Sequence, residues 1–281
     1  RGCAASLSAA DRRLIEERNL RRIRGEALPD EELTRAVAGT FQSYARYYVD
    51  SFRLPELDNR TIDEGFDYRG FDHIRASLAE GVGPMLILPH LGGWEWAAFW
   101  LARVHGIEVT AVAEPIEPPE LFDWFVSFRE SLGMQIVPVG PQAGPAILEA
   151  IKTGRVVCLL ADRVVAGSAA VPVEFFGERT LLPAGPATIA LRTGAPLLPT
   201  AVYFRGDRHF AEVRPPVPAV RKGRFREDVQ RVTQDLAHEL ERFIRAAPEQ
   251  WHVLQPGWPS DFRALGRPVP AQYGELSCAS G

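Results

Sequence analysis

Short apolar runs bounded by Gly or Pro recur along the middle of the chain, and a helical segment separates each from the next. The runs are 85–88, 109–113, 135–139 and 156–160, and the helical stretches between and around them are 71–80, a helix opening near 93, 119–132 and 143–153. Strands that are apolar on both sides need cover on both faces, and helical crossovers provide it. The expected fold class is therefore α/β, with a central, mostly parallel sheet flanked by helices. Further strands are expected at 171–176, 196–204 and 210–214, with a helix near 186–192 and a long amphipathic one over 226–246.

The N-terminal part reads as a helical hairpin preceding that sheet. Residues 8–24 are basic and loosely amphipathic, 25–29 form a loop, and 30–52 make a second helix with Asp30 as its N-cap and Glu31 and Glu32 in its first turn. Residues 1–258 are expected to form one domain, with 1–55 as its helical N-terminal part. The Gly-, Pro-, Ser- and Ala-rich residues 259–281 are expected to be a poorly ordered tail.

Composition excludes several classes. The formal net charge of −4 argues against nucleic acid as a partner. No apolar run approaches the roughly 18–20 residues that span a bilayer. The three cysteines, Cys3, Cys158 and Cys278, have neither zinc-site spacing nor the density of a disulfide framework, so no metal is expected and a reducing compartment fits. Cys158, inside an apolar run, reads as a small buried hydrophobe. The chain opens on Arg1 rather than Met, which leaves open whether further residues precede it.

Chemistry concentrates after the strand at 85–88, in Pro89-His90-Leu91-Gly92-Gly93-Trp94-Glu95. The carboxyl ends of strands in open α/β sheets face the ligand crevice. A neutral imidazole there can take a proton from an attacking hydroxyl, and a carboxylate on its other nitrogen fixes the tautomer. Glu95, in the first turn of the next helix, is one candidate for that carboxylate. A histidine after a strand can also simply cap the following helix. No Gly-x-Ser-x-Gly elbow supplies a nucleophile, so an acyl group would pass directly to its acceptor.

The ordered set of segments 88–96, 112–114, 125–133, 159–163, 174–185 and 250–258 resembles the bacterial lipid A lauroyl/myristoyl acyltransferase family. Within it, the likeness is greatest to the actinobacterial branch that acylates phosphatidylinositol mannosides. The resemblance implies a fatty acyl-CoA co-substrate, no other cofactor, and a glycolipid acceptor, a mannose hydroxyl of a phosphatidylinositol mannoside. It also implies peripheral attachment at the cytoplasmic face of the cell membrane. His90 stands at the family's catalytic histidine. Asp162 stands where that branch carries an acid, usually Glu, and Glu95 where it more often carries Asp. His90 thus has two candidate partners, Glu95 and Asp162. The resemblance further implies substrate-binding roles for Arg129, near the donor, for Glu114, at the acceptor sugar, and for Arg163 and His252.

Each of these has a plainer reading. Arg129 would pair with Glu130 or Asp123 on its helix, and Arg163 with Asp162. Glu114 would be an exposed turn acid, and His252 a packing residue. Trp96 and Trp100, four apart, would either wall an acyl groove or fill the core. The arginines at 12, 13, 18, 21, 22 and 24 would either touch anionic lipid or be a solvated face diluted by Asp11, Glu16 and Glu17. Other functions left open are transfer to another glycolipid or lipid A-type acceptor, hydrolysis of a phosphate or ester, and non-catalytic lipid binding.

Overall fold

The computed structural model describes residues 7–114, 118–165 and 167–277; Cys3 and Cys278 lie outside them. The N-terminal hairpin is α1 (Ala9–Arg24) and α2 (Asp30–Arg53). Ser8 and Asp11 close a capping box on α1, whereas Pro29 occupies the cap of α2, making Asp30 its first helical residue. The short α3 (Asn59–Glu64) and strand β1 (Phe66–Arg69) follow, then α4 (Phe71–Ala79) and β2 (Met85–Leu88). The crossovers continue with α5 (Trp94–Phe99), β3 (Val109–Ala113), α6 (Pro119–Glu130), β4 (Met134–Pro138), α7 (Ala143–Lys152) and β5 (Val156–Leu160).

Beyond β5 come the hairpin strands β6 (Ala170–Phe175) and β7 (Glu178–Pro183), α8 (Gly185–Thr193), β8 (Leu197–Arg205), β9 (Arg208–Val213) and the long α9 (Phe225–Ala246). The main sheet has seven strands in the order β1-β9-β8-β2-β5-β3-β4, and β6 and β7 pair separately. From β8 to β4 every neighbour is parallel; β9 turns back antiparallel on β8, and β1 runs parallel to β9. The expected mostly parallel sheet under helices is what forms. β1 carries no apolar run because it is an edge strand, buried only at Phe66.

Every residue of β2 is buried, as two-sided cover demands. Leu86 and Leu88 join the cluster containing Trp96, Phe99 and Trp100, while Met85 and Ile87 join one with Ile147, Ile151 and Val232. Trp96 and Trp100 are core residues, donating to the Ile62 carbonyl at 3.1 Å and the Asp63 carboxylate at 2.8 Å.

One sequence expectation is overturned. The composition of 259–281 suggested a poorly ordered tail, but α10 (Pro259–Ala264) and α11 (Gly274–Ser277) form there. Asp261 is wholly buried, and Tyr273 and Leu276 pack on Leu181. For the arginines of α1, between the two readings left open, the structure shows ion pairs. Arg18 and Arg22 bond Asp261, Arg22 also bonds Glu178, Arg24 bonds Glu249, Arg21 bonds Asp30, and Arg13 bonds Glu17. Of the six, only Arg12 lacks a carboxylate partner among the described residues. Arg18, Arg22 and Arg24 thus fasten the hairpin to later segments of the chain.

Candidate active site

Register brings the central pair together. β2 and β5 are neighbours with Leu88 opposite Leu160. Two residues further along each strand stand His90 and Asp162, side by side at the sheet's carboxyl edge. The Asp162 Oδ1 lies 2.6 Å from His90 Nδ1, and its Oδ2 accepts the His90 backbone N–H at 2.7 Å and the Trp251 indole N–H at 2.7 Å. Burial opposes ionisation of Asp162, but the imidazole and these donors outweigh it, and the carboxyl stays below its ordinary range. An ionised Asp162 accepts from Nδ1–H, so the lone pair of His90 lies on Nε2. The one-methylene shortening from Glu to Asp does not break the contact.

The turn after His90 depends on its glycines. Gly92 has φ +57°, and a Cβ there would lie 2.2 Å from the Val202 carbonyl oxygen; one at Gly93 would lie 2.4 Å from the His209 ring. Without side chains the turn presses onto β8 and β9. The segment 250–252 clamps its other side. Gly92 N–H donates to the Gln250 carbonyl at 2.9 Å and His252 N–H to the His90 carbonyl at 2.8 Å.

Glu95 does not serve His90. Buried in the first turn of α5, its Oε1 accepts Arg129 Nε at 3.0 Å, Arg129 Nη2 at 2.5 Å and the Tyr47 hydroxyl at 3.1 Å. The start of α5 carries Glu95 toward α2 and α6, whereas sheet register carries Asp162 to the imidazole. Burial opposes the charge on Arg129, yet Glu95 and Tyr47 raise its pKa above the usual range. The guanidinium also lies over the rings of Trp94 and Phe125. Neither Glu130 nor Asp123 is its partner. Breaking a buried pair leaves an uncompensated charge at a cost of about 3–5 kcal/mol. Glu95→Ala is therefore expected to lower stability by that order while Glu130→Ala leaves it near wild type; denaturant melts of the two check this.

At the next strand end, Arg163 pairs with Glu114 at 2.5 Å rather than with Asp162. Its position follows from β3 lying beside β5. His252 is buried, lines the same site, and its Nε2 lies 2.9 Å from the Ser43 hydroxyl. All seven residues singled out from sequence, save wholly enclosed Asp162, line one cavity of about 420 Å³, an ordinary volume for a small-molecule site. Its interior is apolar, with Leu86, Leu88, Ala98, Leu101, Met134 and Cys158 among its walls, and Tyr44, Tyr47 and Tyr48 of α2 close one side. Burial pushes the Cys158 thiol up to about 12, which keeps it from acting as a nucleophile near neutral pH. Trp251, Ser43 and Tyr47 escaped the sequence reading of the site; only Trp251 fell within a segment carrying the family likeness.

The family model described as bacterial lipid A biosynthesis acyltransferase matches residues 2–260. The chain is similar to the phosphatidylinositol mannoside acyltransferase of Mycobacterium tuberculosis (strain ATCC 25618 / H37Rv), with 38% identity over 252 residues, covering 87% of this chain and 76% of that one. To the protein of the same name from Mycolicibacterium smegmatis it is 39% identical over 249 residues, covering 87% and 79%. A lipid A biosynthesis acyltransferase of Haemophilus influenzae is 24% identical over 189 residues, covering 66% and 56%.

Proposed function

Because the chain belongs to the bacterial lipid A biosynthesis acyltransferase family and is thus an acyltransferase, we propose that it moves a long-chain acyl group from acyl-CoA to a mannose hydroxyl of a phosphatidylinositol mannoside, with His90 as general base. The observation that carries this reading is the His90–Asp162 pair opening on an apolar cavity. The likeness to the two mycobacterial proteins supports the acceptor.

The acyl chain lies in the cavity with its thioester carbonyl beside His90. The mannose hydroxyl oxygen attacks the carbonyl carbon while His90 Nε2 takes the hydroxyl proton, and the carbonyl π pair moves onto oxygen. Asp162, already accepting Nδ1–H, stabilises the imidazolium. Collapse of the tetrahedral species re-forms C=O, breaks the carbon–sulfur bond, and the departing thiolate receives the proton from Nε2. The products are the ester and free CoA, with no acyl-enzyme; the protonated state of Cys158 supports direct transfer. Glu114 and Arg163, at the adjacent strand end, bind the sugar, and Arg129 stands at the donor.

No described helix is long and apolar enough to cross a membrane. Peripheral docking is supported instead by exposed apolar side chains on elements that line the cavity: Phe41, Val49 and Phe52 on α2, with Trp124 of α6 packed 5.7 Å from Phe52. We expect the protein, given palmitoyl-CoA and vesicles holding mannosylated phosphatidylinositol, to release CoA and form acylated glycolipid one for one. The double variant Phe52→Ser, Trp124→Ser is expected to lose vesicle sedimentation and most of that turnover. Release of CoA at the same rate from acceptor-free vesicles would point to a hydrolase and contradict the reading; unaltered sedimentation would contradict the docking face.

A further inference from the structure

A second imidazole stands beside His90. Leu91 and Trp251 form an antiparallel bridge, so His90 lies directly opposite His252, and the His252 N–H donates to the His90 carbonyl at 2.8 Å. Directly opposed residues of an antiparallel pair project to the same face, with Cβ atoms about 4.5–5.5 Å apart. Both side chains line the cavity.

His252 is held differently from His90. Its Nε2 meets the Ser43 hydroxyl at 2.9 Å, and its ring packs near those of Tyr44 and Tyr47, at 5.2 and 6.0 Å. The Ser43 hydroxyl makes no other side-chain hydrogen bond among the described residues. When that hydroxyl donates to Nε2, the ring proton stands on Nδ1, and this is the tautomer the proposal below requires. Nδ1 has no partner among the described residues and, unlike both ring nitrogens of His209, is not sealed off from solvent. Burial, with His90 acting in the same direction, holds the imidazolium pKa down to about 3. A ring so reluctant to protonate does not compete with His90 as base, and it keeps a neutral N–H at the cavity wall.

On the acyltransferase reading above, we propose that His252 is a catalytic residue whose Nδ1–H hydrogen-bonds the acyl carbonyl oxygen as it becomes an oxyanion, with Ser43 as its positioning residue. In the forward step the carbonyl π pair moves onto oxygen and is met by the Nδ1–H. The proton stays on His252 throughout, and the pair returns to carbon as the thiolate leaves. The two opposed histidines divide the work: one moves the proton, the other steadies the charge.

The test combines kinetics with ¹⁵N NMR of the intact protein. Loss of one oxyanion donor lowers kcat by roughly 10²–10³-fold. His252→Ala is expected to show a fall of that order, with KM for palmitoyl-CoA within a few-fold of wild type. His252→Asn, whose amide N–H stands near the place of Nδ1–H, is expected to recover at least tenfold of that loss. The His252 ring should give the neutral Nδ1–H signature across the working pH range, and Ser43→Ala should turn it into a mixture of tautomers while lowering kcat. A wild-type kcat in His252→Ala beside an inactive His90→Ala would overturn the proposal alone, as would an Nε2–H tautomer in the wild-type protein. Wild-type turnover in His90→Ala would instead overturn the acyltransfer mechanism on which it rests.

Discussion

His90→Ala is expected to lower acyl transfer by about 10²–10⁴-fold, the usual worth of a general base, with a smaller loss of stability than Glu95→Ala because Asp162 keeps the His90 and Trp251 N–H donors. The side chain is the removable part of this site. Its ring is partly exposed to the cavity, while the bonds that hold the turn, Gly92 to Gln250 and His252 to His90, run through the backbone and survive truncation. Steady-state turnover measured beside a thermal melt separates the two effects. An equal loss of activity and melting temperature would mean that the ring holds the turn together rather than moving a proton.

Asp162→Asn is expected to have an effect of similar size for a different reason. The carboxylate accepts three hydrogen bonds, from the His90 ring, the His90 backbone and Trp251. An amide offers one acceptor oxygen and adds donors, so either the ring rotates or its proton shifts to Nε2, and the base is lost. For a buried aspartate behind a catalytic histidine this change costs about 10⁴-fold in kcat. The pH profile is a second readout. Asp162 is depressed, so the stability its carboxylate contributes is fully present above the ordinary carboxylate range and is lost as pH falls through the native value. Protonation of Asp162 should therefore not limit activity until pH falls below the ordinary carboxylate range. Asp162→Asn should remain folded at neutral pH with the base function gone; near-wild-type kcat would show that His90 needs no acidic partner.

Much of this was legible in the sequence because apolar strands and their bounding glycines report burial and turns directly. The carboxyl end of β2 marked His90 as a crevice residue, whereas Glu114 and Asp162 were marked by the family resemblance. The choice between Glu95 and Asp162 was not legible, because it depends on strand order. Nothing local says that β2 lies beside β5, and that adjacency alone sets Asp162 against His90. Ser43, Tyr47 and Trp251 reach the site from elements distant in the chain, with no local pattern to mark them. The partners of the α1 arginines were hidden for the same reason, since Arg18, Arg22 and Arg24 find their carboxylates at Asp261, Glu178 and Glu249, far along the chain. The segment after Trp258 misled through composition, although a buried Asp261 with two arginine partners anchors it.

On the proposed mechanism the transfer is direct, and His90 carries the proton from a mannose hydroxyl to the departing thiolate. A single-turnover reaction with labelled palmitoyl-CoA and mannosylated phosphatidylinositol, quenched and resolved by mass spectrometry, tests it most directly. The wild-type protein is predicted to pass the label straight to one mannose ester, with none on the protein at any time and almost none transferred by His90→Ala. Label trapped on the protein before the glycolipid, product formed as fast by His90→Ala, or transfer to a lipid A precursor in preference to the mannoside would contradict it.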